Sequence, residues 1–234
     1  MKWSLHFLEA EGSLAHWRER LTAQAHATHD RIAAHLPEET AMPPVDVVIE
    51  RVPGKTIPEL GFGGHAFRRG CMSITLDPEN PNFEASLASG QFTRTITHEF
   101  HHCLRHAGAG YGTTLGEAIV SEGLADHFDR QINGGSGQIW DHALEARQWP
   151  EILRRAETEI HAADYNHFMW FYGINEESEK NPIPKWVGYT VGYHLLECFF
   201  SLHPDARAAQ MAGMAAKKVI SAVWPTLRSR HAAR

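Results

Sequence analysis

The sequence predicts an α+β fold in which a small sheet precedes a mainly helical second half. Three observations carry that reading. A segment rich in β-branched residues at 45–52 and a second expected strand at 71–76 fall in the first third of the chain, and each is closed by a proline turn. A helical run at 96–106 holds histidines four residues apart, and a second helical run beginning at Thr114 carries several carboxylates. Most of the chain beyond that second run reads as helix broken by Gly- and Pro-containing loops.

Taken in order, the first nine residues reach acidic Glu9 before any apolar core of signal-peptide length develops. Residues 13–36 predict a packing helix with Ser13 as N-cap, Leu14, Trp17, Leu21 and Ile32 as apolar positions, and Pro37 as its stop. The strand at 45–52 partly alternates and ends at Pro53-Gly54. Gly61-Phe62-Gly63-Gly64-His65 lacks the Lys-Ser/Thr of a phosphate loop and is read as a turn. The strand at 71–76 is closed by Asp77-Pro78. After the two helices with acidic and imidazole groups, residues 133–137 form a flexible Gly-rich break. Further helices are expected at 139–145 and 150–163, with Pro150 suited to a first turn. The aromatic cluster at 166–172 is read as core in preference to a substrate subsite, and 176–184 as a polar loop. A last expected helix begins at 186–196 despite Gly188 and Gly192, each of which costs up to about 1 kcal/mol relative to Ala and so needs compensation.

With 234 residues the chain is long enough for a sizeable core, and a single catalytic domain of two lobes is expected, about 1–110 and 111–234. The formal charge of −6, with no basic block beyond Lys217, Lys218, Arg228, Arg230 and Arg234 near the end, argues against a nucleic-acid partner. Those five are read as a solvated helix face and tail. No segment approaches the roughly 20 uninterrupted apolar residues of a membrane span. Cys71, Cys103 and Cys198 are an odd, widely spaced set, which suits a reducing, cytoplasmic setting better than a disulfide framework.

The chemistry concentrates at His98-Glu99-Phe100-His101-His102. On a helix the rings of His98 and His102 differ by about 40° and can reach one metal ion from adjacent turns. Glu99 lies too far round to chelate, yet close enough to bond a water on the metal's open side. Zinc suits two imidazoles plus a carboxylate with one position left for water. On the second helix Glu122 is the candidate third ligand and Glu117 its rival. Thr114-x-x-Glu117 has the form of a capping box, and Glu117 lies about 140° around the helix from Glu122, so Glu122 is preferred. Asp126, one turn beyond on the same face, can hydrogen-bond the outer nitrogen of a ligand histidine. His106 is read as a helix C-terminal residue and His101 as a flanking or surface residue. A structural zinc site is disfavoured, because Cys103 points about 100° away from His102.

In these motifs the chain resembles the gluzincins, the thermolysin-like zinc metallopeptidases, whose third ligand follows the second histidine at the offset of Glu122 from His102. It more closely resembles a bacterial family of predicted zinc-dependent proteases known as a domain of unknown function. That likeness rests on His98-Glu99-x-x-His102, Ser121-Glu122-Gly123-Leu124-Ala125-Asp126 and Gly188-Tyr189-x-x-Gly192-Tyr193. The resemblance implies a zincin-like fold, a small twisted sheet whose edge strand lies along the cleft above the metal helix. By that analogy 71–76 is the strand that pairs with an extended peptide. It also implies His98, His102 and Glu122 as zinc ligands and Glu99 as the catalytic carboxylate.

The expected reaction is hydrolysis of a peptide bond in a peptide or protein substrate by a zinc-activated water, with Glu99 taking the proton and delivering it to the leaving amine. The glycines of the last helix either serve close packing or bring Tyr189 to the developing oxyanion. Tyr193 and His194 are weaker candidates. The alternative from another class is a zinc-binding regulatory or binding module with lost or narrowed peptidase activity, against which the intact Glu99 speaks.

Overall fold

Strand β1, Ser4–Leu8, opens the chain, and helix α1, Ala15–His35, comes next. The computed structural model describes residues 3–37, 40, 42–173 and 183–232. Contacts divide the chain into two units, residues 1–107 and 108–234. The fold is α+β, with a small mixed sheet confined, among the described residues, to the first unit.

That first unit continues with β2, Asp46–Arg51, β3, Phe62–Arg68, β4, Cys71–Leu76, a short α2, Phe83–Ala88, and α3, Gln91–Ala107. The sheet runs in the order β1-β2-β4-β3, with β1, β2 and β4 parallel and β3 antiparallel to β4. Alternation places Val47 and Ile49 of β2 and Met72, Ile74 and Leu76 of β4 in the core. Helix α3 packs on β3 and β4 and buries Phe92, Ile96 and Phe100 at four-residue spacing. Helix α1 starts two residues inside the expected bound, with Leu14 at the cap position, and the Ser13 hydroxyl accepts from Ala15 N at 3.1 Å.

Two strands depart from the sequence reading. Gly61-Phe62-Gly63-Gly64-His65 is not simply a turn, since Phe62 onward forms the edge strand β3. Consequently Cys71–Leu76 is no edge: β2 pairs with one side of it and β3 with the other. Strand propensity is poor at Gly63 and Gly64, and pairing with β4 overrides it. Strand β1 carries too little pattern to be expected, being only five residues long and partly exposed throughout.

In the second unit, helix α4, Leu115–Asn133, begins with the expected capping box of Thr114 and Glu117. Gly134 ends it at φ 70°. The helix expected at 139–145 is absent, and a 3-10 turn at Ala146–Gln148 stands instead. The Ala143 N–H, which a helix there would give to the carbonyl of Ile139, is taken instead by Thr190 Oγ1. Helix α5, Trp149–Glu159, starts with Pro150 in its first turn but ends before residue 163. Helix α6, His167–Tyr172, is capped by Asn166, and α7, Val187–Leu202, and α8, Ala216–Arg230, complete the unit. Residues 176–182 of the expected polar loop, and Arg234, lie outside the described residues. Of the terminal basic residues, Arg228 pairs with Glu157 and Arg230 with Glu197, while Lys217 and Lys218 are exposed.

Helices α4 and α7 pack through glycine. A Cβ placed on Gly192 would lie 2.4 Å from Ile119 O, and one on Gly123 would lie 2.3 Å from Gly192 O. Close helix packing therefore accounts for the interior glycines of α7, and Gly188 likewise makes room for the Phe171 ring. Gly192→Ala is expected to lower unfolding free energy by about 3 kcal/mol or more, because the obstruction is backbone and cannot rotate away. The gain in helix propensity, about 1 kcal/mol, does not offset it. Urea titration of the purified variant checks this, and a wild-type midpoint would refute it.

His127 of α4 stacks on Tyr193 of α7 at 4.5 Å, with Nε2 2.9 Å from Tyr193 O. Burial pushes its pKa down to about 4. The folded value lies below the unfolded one, so this site's stabilisation is complete above about pH 6.5 and is lost as pH falls toward 4, by about 3 kcal/mol. Chemical denaturation at pH 7 and pH 4.5 should show that loss, and His127→Gln should flatten it. The Tyr193 hydroxyl accepts from Arg130 at 2.8 Å, and His194 packs on Trp149, so both serve packing.

Candidate metal centre

Helix α3 sets His98 and His102 one turn apart on the same stripe. Their Nε2 atoms are 3.1 Å apart, with the rings nearly perpendicular at 79°. Bonds of about 2.0–2.1 Å to one tetrahedral zinc would set the two nitrogens about 3.3 Å apart, so the imidazole pair fits a shared ion. His102 is buried and His98 half-buried. Among the described residues, one group of His, Cys, Asp and Glu side chains could hold a metal ion: His98, His102 and Glu122, with one ligand atom from each lying within 4.8 Å of the others. Two imidazoles and a carboxylate form the donor set that zinc accepts.

Glu99, next to His98, is buried at 5% exposure. Strand β3 passes directly over it. A Cβ on Gly64 would lie 2.6 Å from Glu99 Oε1 and 2.8 Å from Thr95 Cγ2. The glycine that weakens the strand signal is thus the residue that lets backbone approach this carboxylate. Cys103, one turn further along α3, is a free thiol pushed up to about 12, first by burial and then by the charge of Glu99, and is unreactive. Cys71 and Cys198 are also free thiols. His101 is fully buried and is not the surface residue that its place in the sequence suggests. His106 Nε2 lies 3.0 Å from Ala66 O of β3.

On α4, Glu117 is engaged at the helix start: its Oε2 accepts from Thr113 N at 2.9 Å and Thr114 N at 3.0 Å. Glu122 lies among tyrosines. The Tyr111 hydroxyl donates to Glu122 Oε1 at 2.6 Å. Burial, and after it the charge of Glu122, raises the phenols of Tyr111 and Tyr189 well above their usual value. Tyr189 of α7 is further hydrogen-bonded to Tyr172, and its ring meets Phe171 edge-on at 5.0 Å. Asp126 is buried and accepts from Trp140 Nε1 at 3.1 Å. The aromatic segment 166–172 divides: Met169, Trp170 and Phe171 are buried, whereas Phe168 is 64% exposed.

Sequence reasoning does not single out Tyr111. It sits in Gly108-Ala109-Gly110-Tyr111-Gly112, and a lone aromatic residue between glycines just before a capping box is the available signal.

A family model described as Predicted Zn-dependent protease (DUF2268) matches residues 25–221. A curated relative, the uncharacterized protein YjfC of Bacillus subtilis (strain 168), is 24% identical over 172 residues, covering 69% of this chain and 54% of its own length. The chain thus spans about half the length of that relative. No solved structure matches the chain. Among the described residues, no helix is long and apolar enough to cross a membrane.

Proposed function

Because the chain belongs to the family of predicted Zn-dependent proteases, we propose that it is a gluzincin-type zinc metallopeptidase acting on peptide bonds of a peptide or protein substrate. The observation that carries the reading is the grouping of His98, His102 and Glu122 with Glu99 buried in the same turn of α3. On this reading the three ligands hold zinc, and Asp126 orients a ligand histidine. When bound, zinc supplies a Lewis acid for the scissile carbonyl and lowers the pKa of a water to about 7. Glu99 accepts the proton of the attacking water and returns it to the leaving nitrogen as the C–N bond breaks. The Tyr189 hydroxyl donates to the carbonyl oxygen as it gains charge.

The free edge of β3 supports an extended substrate. Apart from a single bridge between Ile57 and Phe62, the strand is unpaired on its outer side among the described residues, and Gly64 lies against Glu99. A peptide added there would pair through backbone hydrogen bonds alongside the catalytic carboxylate.

The test is metal analysis of purified protein followed by a peptide-library digest with and without chelator. One zinc per chain, with cleavage lost on chelation and restored by zinc, is expected. Stoichiometric zinc without any cleavage would instead favour a zinc-binding module. Tyr189→Phe is expected to reduce kcat by about 10²–10³-fold while leaving measurable turnover, the usual effect of removing one oxyanion donor. An unchanged kcat would remove Tyr189 from the reaction.

A further inference from the structure

We propose that Tyr111 is a positioning residue for the third ligand, holding one oxygen of Glu122 so that the other serves the metal. The proposal rests on the zinc reading and adds a residue that neither the family description nor the histidine motif contains. Its core is the 2.6 Å hydrogen bond from the Tyr111 hydroxyl to Glu122 Oε1.

The surrounding chain is built to hold that bond. Tyr111 lies between Gly110 at φ 80° and Gly112 at φ 98°, backbone conformations that side chains rarely adopt. A Cβ on Gly112 would lie 2.2 Å from Glu117 Cβ, so the loop lies directly against the helix start. Glu117 fastens the loop's end through Thr113 N and Thr114 N. The Ser121 hydroxyl, one residue before Glu122, donates to Tyr111 O at 2.8 Å. The loop is therefore tied to α4 at the capping box and again beside the ligand, and these ties fix the phenol against the carboxylate.

A phenol has one proton to donate. Tyr111 commits that proton to Glu122 Oε1. Partners that orient a ligand from behind are worth about 10–100-fold in metal affinity. Tyr165 provides the internal control: the Glu122 charge acts on it too, but its hydroxyl pairs with His167 at 3.2 Å.

The experiment measures zinc affinity by competition with a chromophoric chelator, together with the visible spectrum of the cobalt-substituted protein, for wild type, Tyr111→Phe, Ser121→Ala and Tyr165→Phe. Tyr111→Phe should bind zinc about 10–100-fold more weakly and change the cobalt bands, since the freed carboxylate alters its coordination. Tyr165→Phe should match wild type within twofold. Should Tyr111→Phe not fold by circular dichroism, Ser121→Ala keeps the phenol but releases its anchor, and a weakening of several-fold is expected. Zinc affinity within twofold of wild type in the folded Tyr111→Phe variant, with unchanged cobalt bands, overturns the positioning role alone. If Tyr111→Phe does not fold, wild-type affinity in Ser121→Ala overturns it. A wild-type protein that binds no zinc overturns the metal reading and this proposal together.

Discussion

Glu99→Gln is expected to retain one zinc per chain and to lose about 10²–10⁴-fold in turnover, the range attributed to a positioned acid–base group. The substitution is nearly isosteric. That matters because the carboxylate is buried and the backbone of β3 at Gly64 leaves no space for a larger side chain. Packing should therefore survive, and thermal unfolding should match wild type. What disappears is a carboxylate able to accept a proton, since an amide oxygen is far too weak a base. Measuring zinc content, melting temperature and kcat on the same preparation separates the outcomes. Wild-type turnover in this variant would mean that another group handles the proton and that the assignment of Glu99 is wrong.

Removing a ligand should act on a different quantity. With free zinc at about 100 times its Kd, binding stabilises the folded wild type by about 2.7 kcal/mol. For a chain of this length that corresponds to a rise in Tm of about 5–10 °C on adding zinc. His102→Ala should show no such rise, no stoichiometric zinc and no turnover. The ring of His102 lies on the α3 stripe beside His98, and one imidazole with one carboxylate leaves too few donors for a closed set. Stoichiometric zinc in His102→Ala would show that the ion sits elsewhere.

The parts of this site that the sequence discloses are those governed by short-range periodicity. The spacing of His98 and His102, the capping box of Thr114 and Glu117, and the short strand Cys71–Leu76 each depend on residues within a few positions of one another. What stays hidden depends on partners distant in the chain. Gly63 and Gly64 read as turn residues, and only pairing with β4 makes them strand. Residues 139–145 read as helix, but the distant Thr190 hydroxyl takes the Ala143 N–H. Cys71–Leu76 looks like the peptide-pairing edge only while β3 is read as a turn. His101 reads as a flank because its burial depends on packing that a helical wheel does not record.

The glycine contact between α4 and α7 bears on the chemistry as well as on stability. Peptide units of the two helices touch at Gly123 and Gly192, so no rotamer change intervenes between the segment bearing Glu122 and the one bearing Tyr189. Their spacing is registered main chain to main chain. Any wedge inserted there would move the Glu122 carboxylate and the Tyr189 phenol together, and on the proposed reading a single distant substitution would then register in ion affinity and in catalytic rate at once.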